Sequence, residues 1–363
     1  MTAKVLNYYA GGNTARGFYS LYESSLQDLN KLFILKGGPG TGKSTLMKRI
    51  GKAFSEQGFD VEYLHCPSDN DSIDGVKIPA LKAGIVDGTA PHVIEPKAPG
   101  AVEEYVNIGV AWDSSKLSPH KERILELSNK INATTQKAYS TFAEALRVHD
   151  EWEKIYIENM DFEKTNQFTD QLIEELFGTQ RGSGAAIVRH RFLGAATPKG
   201  AVDFVQNLTE ETPHRYFIKG RPGSGKSTLL KKLVAHAESR DFEVEVYHCG
   251  FDPNSLDMVI VRELGFSIFD STAPHEYFPN RQGDEIIDMY EHLITPGTDE
   301  KHSEEIAEIS GRYKAKMKEA IGLLAEAKDL NDELEAIYTP AMDFEKLDQI
   351  TQEIKNKLLQ IAK

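Results

Sequence analysis

Apolar positions along the chain alternate between strand-like and helix-like spacing, and the same order of segments occurs twice. In each half the pattern predicts a leading strand, a Gly/Thr loop with a helix, a short strand, a glycine-rich loop, an amphipathic helix and two more strands. The predicted strands span residues 5–9, 32–35, 61–65 and 83–87, and then 187–193, 216–218, 244–248 and 266–270. Strands that alternate with helices predict an α/β fold, with a mostly parallel sheet covered on both faces in each half.

Each half ends in a long helical stretch whose apolar residues recur at three- and four-residue steps. In the second half the stripe includes Ile306, Ile309, Tyr313, Met317, Ala320, Leu324, Ala327, Leu330, Leu334 and Ile337. Such stripes are typical of a helical hairpin packed on itself or on its own domain, here over about residues 116–180 and 300–362. The alternative interpretation is a coiled coil that binds a protein partner, although the stripes lack strict heptads.

The chain is an internal duplication. Lys43 and Lys226 are separated by 183 positions, and 26 of the 57 positions of segment 36–92 are identical in segment 219–275 without gaps. Segment 160–164 recurs 182 positions later. The repeat predicts two domains, residues 1–183 and 184–363, with the boundary in a glycine-rich stretch.

Both halves contain a complete GxxxxGK[ST] pattern between a predicted strand and a predicted helix. Glycines allow such a loop to curl until its backbone N–H groups point at a phosphate, and the following helix adds its positive dipole end. The lysine reaches the β- and γ-phosphates, and the Ser hydroxyl binds Mg²⁺. The predicted nucleotide-binding residues are Gly37, Gly38, Gly40, Thr41, Gly42, Lys43, Ser44 and Thr45, and Gly220, Gly223, Ser224, Gly225, Lys226, Ser227 and Thr228.

On these two loops the chain resembles the P-loop NTPase superfamily, specifically duplicated bacterial ATPase-like proteins of poorly defined role. The resemblance covers both α/β cores and hardly any of the helical tails. It implies binding of ATP or another NTP with Mg²⁺, usually followed by cleavage of the β–γ bond. It does not choose between a motor, a switch and a kinase.

Two predicted strands end in an aspartate, Asp87 or Asp270, about forty residues after each lysine. They resemble the acidic element that holds the Mg²⁺ shell in P-loop proteins, so the predicted metal ligands are Ser44, Asp87, Ser227 and Asp270. The alternative is a turn or helix-cap aspartate. Many hydrolytic relatives carry a glutamate directly after this aspartate, whereas this chain has Gly88 and Ser271. That departure argues against fast hydrolysis by each half alone.

The run Thr-Ala-Pro-His follows each aspartate and is the most distinctive shared segment. Loops at the carboxyl ends of strands hold the chemistry of doubly wound folds. The hypothesis is that the threonines position water or the γ-phosphate and the histidines contact phosphate or substrate; a proline-fixed turn with a packing histidine is the alternative. With the lysines and aspartates, the predicted catalytic residues are Lys43, Asp87, Thr89, His92, Lys226, Asp270, Thr272 and His275.

Further polar residues support weaker hypotheses. Those that follow the third predicted strand could supply a general base or a metal contact, although helix capping explains them as well: Asp69, Ser72 and Asp74, with Asp252, Ser255 and Asp257. Candidates for an arginine that acts across an interface between the halves are Arg16, whose repeat counterpart is Lys199, and Arg221, Arg189 and Arg191. Cys66 and Cys249 lack zinc-site spacing and are predicted to be reduced thiols.

Composition narrows the class of partner. A net charge of −14 disfavours extended nucleic-acid binding. No apolar run approaches the roughly 20 residues of a membrane span, and the first residues do not resemble a secretory signal, so we expect a cytoplasmic protein without a membrane partner. The leading functional hypothesis is Mg²⁺-dependent ATP hydrolysis coupled to movement of the helical tails. The alternatives are a kinase acting on a nucleotide or small molecule, and a nucleotide-gated interaction module with little turnover.

Overall fold

A computed structural model describes residues 3–362, and two six-stranded sheets of matching strand order form its centre. The first half contains β1 (Val5–Tyr8), β2 (Gly11–Thr14), β3 (Gly17–Ser20), β4 (Lys31–Lys36), β5 (Val61–His65), β6 (Ile73–Ile78), β7 (Ala83–Asp87) and β8 (Glu103–Asn107). The second contains β9 (Ile187–Phe192), β10 (Gly194–Thr197), β11 (Gly200–Asp203), β12 (His214–Lys219), β13 (Glu243–His248), β14 (Leu256–Val261), β15 (Phe266–Asp270) and β16 (Asp284–Asp288).

Both sheets are mixed and mostly parallel. Their orders are β1-β5-β6-β7-β4-β8 and β9-β13-β14-β15-β12-β16. Only β6 and β14 run antiparallel to their neighbours. The remaining short strands form the hairpins β2–β3 and β10–β11. The predicted α/β class is therefore confirmed, and each leading strand closes the sheet of its own half.

Neither antiparallel strand was predicted: β6 carries two charged residues, and β14 is apolar apart from Asp257. Asp74 and Lys77 are buried, at 4% and 5% exposure, and each has a partner of opposite charge in the interior. A buried charge is tolerated when it is paired and hydrogen-bonded. The edge strands β8 and β16 are short and were likewise not predicted.

Helices cover the outer faces of the sheets and extend beyond them. The first half contains α1 (Tyr22–Ser25), α2 (Lys43–Ser55), α3 (Ser114–Leu117), α4 (Lys121–Ile157) and α5 (Phe162–Phe177). The second contains α6 (Val205–Thr209), α7 (Lys226–Ser239), α8 (Met289–Leu293), α9 (Thr298–Lys301), α10 (Ser303–Tyr338) and α11 (Phe344–Ile361). In residues 3–362 no helix is both long enough and apolar enough to cross a membrane.

The terminal helices are exchanged between the halves. Helix α4 packs along α10, and not against α5 as a hairpin would. Leu172, Leu176 and Phe177 of α5 join the apolar core around α7 in the second half. Leu347 and Leu358 of α11 join the core around α2 in the first half. In this structure the terminal helices therefore do not pair within one half, and α5 and α11 pack on the core of the opposite half.

Backbone contacts at the end of α4 explain the exchange. The chain leaving this helix is tied to the second half, because Met160 pairs with Ile294 and the Asp161 amide donates to the Leu293 carbonyl at 2.9 Å. The Asp161 side chain then caps α5 by accepting from the Lys164 amide. The Asp343 amide binds the Ala111 carbonyl in the same way at the start of α11.

The inner faces of the two sheets meet in a shared core. Tyr8 and Leu64 of the first half lie in one apolar cluster with Phe217 and Tyr247 of the second. Two backbone hydrogen bonds join Tyr9 to Phe192 across the boundary, at 3.0 and 2.9 Å. The halves are therefore held together by interior packing as well as by the exchanged helices.

A buried arginine crosses this boundary. Arg191 on β9 lies 3.5 Å from Glu62 and 3.8 Å from Glu245, and its guanidinium stacks over the Tyr8 ring at 4.3 Å. Burial alone would raise the pKa of both carboxyls, but the arginine and neighbouring cations hold them below their ordinary value. Arg191 is therefore an interior residue that pairs with carboxylates of both sheets.

Candidate functional site

The two glycine-rich loops connect a central strand to the helix that follows it. The first, Gly37 to Ser44, leaves β4 and enters α2; the second, Gly220 to Ser227, leaves β12 and enters α7. Gly42 and Gly225 have φ of 82° and 89° at the helix N-caps, a left-handed conformation that side chains disfavour. The sequence prediction that each helix begins at the lysine is confirmed.

Each loop lysine folds back over its own loop. The Lys43 ammonium donates to the carbonyls of Gly37 at 3.1 Å and Gly38 at 2.7 Å, and lies 3.5 Å from the Asp87 carboxylate. Its exposure is only 8%. A cation is thereby held at the centre of the loop, next to a carboxylate from the neighbouring strand.

The second loop repeats this arrangement. The Lys226 ammonium donates to the Arg221 carbonyl at 2.8 Å and lies 3.6 Å from the Asp270 carboxylate. Because β7 lies beside β4, and β15 beside β12, the two aspartates end strands adjacent to the loops. The structure therefore brings the predicted lysine and aspartate together in both halves.

The loop hydroxyls have distinct surroundings. Ser44 accepts a hydrogen bond from the Ile73 amide, and Ser227 from the Leu256 amide, both at 3.0 Å. Thr41 donates to the Gly38 carbonyl at 2.7 Å, whereas the buried Ser224 hydroxyl finds no partner among residues 3–362. Thr45 and Thr228 are exposed on the first turns of their helices. Serine and aspartate oxygens are ligands of the kind that Mg²⁺ prefers.

The threonines after the strand ends bind the aspartates. Thr89 donates its amide at 2.9 Å and its hydroxyl at 2.6 Å to the same oxygen of Asp87. Thr272 does the same to Asp270, at 3.0 and 2.6 Å. These bonds leave the other carboxylate oxygen facing the lysine. In this structure the threonines orient the aspartates, a contact that the sequence hypothesis of water positioning did not foresee.

The histidine of the first half is buried beside a carboxylate. His92 lies 3.4 Å from Asp74, which also accepts from the Tyr22 hydroxyl at 3.3 Å. Burial by itself would lower the pKa of His92, but the Asp74 charge outweighs it and raises that pKa to about 9. His92 is 7% exposed, so the imidazole is part of an interior ion pair.

In the second half the corresponding histidine has a different partner. His275 binds Asp203 at 2.8 Å, and Asp203 also accepts from the Tyr277 hydroxyl. Asp257, the repeat counterpart of Asp74, is left without that histidine as a close partner. Burial raises the pKa of Asp257 to about 6, against the opposing charge of His275. The two halves therefore differ at this position.

Both glycine-rich loops are covered by the helix of the opposite half. A Cβ atom at Gly223 would lie 2.5 Å from the Glu153 carbonyl of α4. A Cβ atom at Gly40 would lie 3.0 Å from Glu335 of α10, and one at Gly38 would lie 2.9 Å from the Tyr338 ring. The distance at Gly223 leaves no room for a Cβ atom, and those at Gly40 and Gly38 are shorter than ordinary van der Waals contact. The glycines therefore allow the ends of α4 and α10 to pack closely on the loops.

Two cationic side chains at the turns of the short β-hairpins form ion pairs with the opposite half. Arg16, at the turn of β2–β3, binds Asp252 at 2.8 Å. Lys199, at the turn of β10–β11, binds Asp71 at 3.2 Å. Of the arginines considered as trans-acting cations, Arg16 approaches the second site, and Arg191 lies between the sheets.

The helix residues at the loops were missed by the sequence hypotheses, although a signal was present. Extending the 182-residue match upstream of segment 160–164 as far as residue 144 aligns five further polar residues of α4 with identical ones on α10. They are Glu144 and Glu326, Asp150 and Asp332, Glu151 and Glu333, Glu153 and Glu335, and Tyr156 and Tyr338. The identical positions at the helix ends include those that meet the loops, Glu153, Glu335 and Tyr338, so the repeat indicated this segment although not each contact.

Comparisons with known proteins do not assign the chain to a family. No family model matches it, and searches of curated proteins and of solved structures found no match either.

Proposed function

We propose that the chain binds two Mg²⁺–nucleoside triphosphates, with ATP as the first candidate, and hydrolyses the β–γ bond. The observation that carries the proposal is the repeated pairing of a loop lysine with a strand-end aspartate, 3.5 and 3.6 Å apart, at the start of a helix. Backbone amides, an ammonium group and a helix N-terminus together favour a bound phosphate chain.

The roles of the residues follow from their chemistry. The loop amides and the lysines would hold the β- and γ-phosphates, and the serines and aspartates would hold Mg²⁺. Thr89 and Thr272 would keep the aspartates oriented through the bonds described above. The metal would supply charge neutralisation on the phosphate oxygens. Movement of α4 and α10 would follow from nucleotide binding, because their ends lie on the loops.

A kinase is less well supported than a hydrolase. The acceptor was expected near Asp74, Asp257, His92 and His275. His92 and His275 are paired with interior carboxylates, and Asp74 and Asp257 are buried, at 4% and 7% exposure. A gated interaction module shares the binding step with the hydrolase and differs only in turnover. The same assay separates all three.

The test follows free phosphate and ADP after incubation with Mg-ATP. We expect phosphate release that falls at least tenfold when Lys43→Ala and Lys226→Ala are combined. Matched controls are Lys52→Ala and Lys231→Ala, because these lysines are exposed on the same two helices. ADP formed only with an added acceptor would favour the kinase, and nucleotide binding without turnover would favour the gated module. No binding would exclude the proposal.

A further inference from the structure

The hydrolysis proposed above lacks an obvious general base within either half. The positions after the strand-end aspartates are Gly88 and Ser271, which cannot accept a proton efficiently. Of the carboxylates near the loops, Asp69 accepts from Ser72 at 2.8 Å, Asp252 binds Arg16, and Asp74 lies beside His92. Asp257 lacks a close histidine partner but is buried, at 7% exposure. The helices that cover the loops offer further carboxylates.

Glu153 of the first half contacts the second loop. The backbone of Glu153 packs on Gly223, and its side chain is about one third exposed. Burial raises the pKa of Glu153 and the Asp150 charge adds to this, whereas the Lys226 charge opposes it. The Glu153 carboxylate lies 3.6 Å from Nδ1 of His149 on the same helix, at the point where that helix covers the loop.

Glu335 of the second half, the repeat counterpart of Glu153, contacts the first loop. The backbone and Cβ of Glu335 pack on Gly40, and its carboxylate accepts from the Asn331 amide group at 3.0 Å. Glycines 40 and 223 are themselves equivalent positions of the two loops. The glutamates occupy equivalent repeat positions, and so do the glycines that they contact. In each case the helix belongs to one half and the loop to the other.

We propose that Glu335 is the general base at the first loop and Glu153 at the second, so that each half supplies the base for the other. This inference rests on the proposed function. In the step, a water oxygen bonds to the γ-phosphorus while the glutamate accepts a water proton. The bond from the γ-phosphorus to the bridging oxygen breaks, its electron pair stays on the β-phosphate of ADP, and the proton later passes to solvent.

The contact of each helix with the opposite loop agrees with two further features. Gly40 and Gly223 adopt left-handed backbone conformations, with φ of 64° and 73°, and a side chain at Gly223 would also collide with the helix that carries the glutamate. The exchanged helices then have a chemical role, because α5 and α11 anchor the ends of α4 and α10 to the opposite half. Turnover at either site therefore depends on both halves.

The experiment compares Glu153→Gln, Glu335→Gln and the double variant with the unmodified chain. Matched controls are Glu151→Gln and Glu333→Gln, which remove the same charge from exposed pairs with Arg312 and Arg123 on the same helices. Binding of Mg²⁺ with a non-hydrolysable ATP analogue is measured by calorimetry, and phosphate release is measured under single turnover.

We expect the double variant to bind the analogue within threefold of the unmodified chain and to release phosphate at least a hundredfold more slowly, the usual scale of general-base catalysis. Formate should partly restore turnover in Glu153→Ala/Glu335→Ala by supplying a carboxylate, which a packing role would not allow. Unchanged turnover, or a loss that formate does not restore, would overturn the assignment. Failure of the unmodified chain to bind the analogue would instead refute the proposed function itself.

Discussion

Replacement of Leu358 by alanine tests the exchange of helices between the halves. This leucine lies on α11, near the C-terminal end of the chain, yet it is fully buried in the core of the first half. The change removes three carbon atoms, which at roughly 0.8 kcal/mol per carbon costs about 2.4 kcal/mol in transfer free energy. The residual cavity adds to this, so we expect a loss of about 3 kcal/mol.

Hydrogen exchange followed by mass spectrometry locates the loss. A loss of about 3 kcal/mol corresponds to about a hundredfold faster exchange where local opening exposes the amides. We expect the faster exchange in the α2 segment, residues 43–55, and not in the α7 segment, residues 226–239. Leu176→Ala, at the counterpart position on α5, should show the opposite distribution with a slightly smaller effect, because Leu176 is 8% exposed.

The result that would refute the exchange is equally specific. If Leu358→Ala accelerated exchange mainly in α7 and left α2 protected, α11 would belong to the second half. Equal acceleration of both segments would show that the halves unfold as one unit, and the experiment would then assign no partner to α11.

Two further changes test the interface and the loops. Arg191→Met should lower the unfolding free energy by about 3–5 kcal/mol at pH 7, because Glu62 and Glu245 remain buried and charged. The pKa values of both glutamates are depressed in the folded chain, so their ion pairs with Arg191 stabilise the fold above about pH 4.5, and this stabilisation disappears as the pH falls further. The difference in unfolding free energy between the unmodified chain and Arg191→Met, measured by urea unfolding, should therefore become smaller at low pH. Gly223→Ala should lower the thermal midpoint by steric contact with α4, whereas Gly322→Ala, with no described atom within 4 Å of its new methyl group, should raise it.

The predictable part of the molecule is the part governed by local physics. A glycine-rich loop between an apolar strand and an amphipathic helix is specified by adjacent residues, so the loops, the helix starts at Lys43 and Lys226, and the strand ends at Asp87 and Asp270 all follow from the sequence. The internal repeat strengthened each of these predictions because it supplied the same pattern twice.

The unpredicted part depends on contacts between distant segments. The apolar stripe of α11 requires a complementary surface but does not specify which, and the two halves offer similar surfaces around α2 and α7. Strand β6 appeared too polar because its charged residues find partners only in the folded chain. The sequence analysis likewise made no prediction for the carboxylates on α4 and α10, because their contacts with the loops form only in the folded chain.

The most direct test of the account is the stoichiometry of nucleotide binding. Titration calorimetry with Mg²⁺ and a non-hydrolysable ATP analogue should give two equivalents per chain, one equivalent for Lys43→Ala, one for Lys226→Ala and none for the double variant. Absence of saturable binding, or two equivalents that persist in the double variant, would contradict the claim that the two glycine-rich loops are the nucleotide sites.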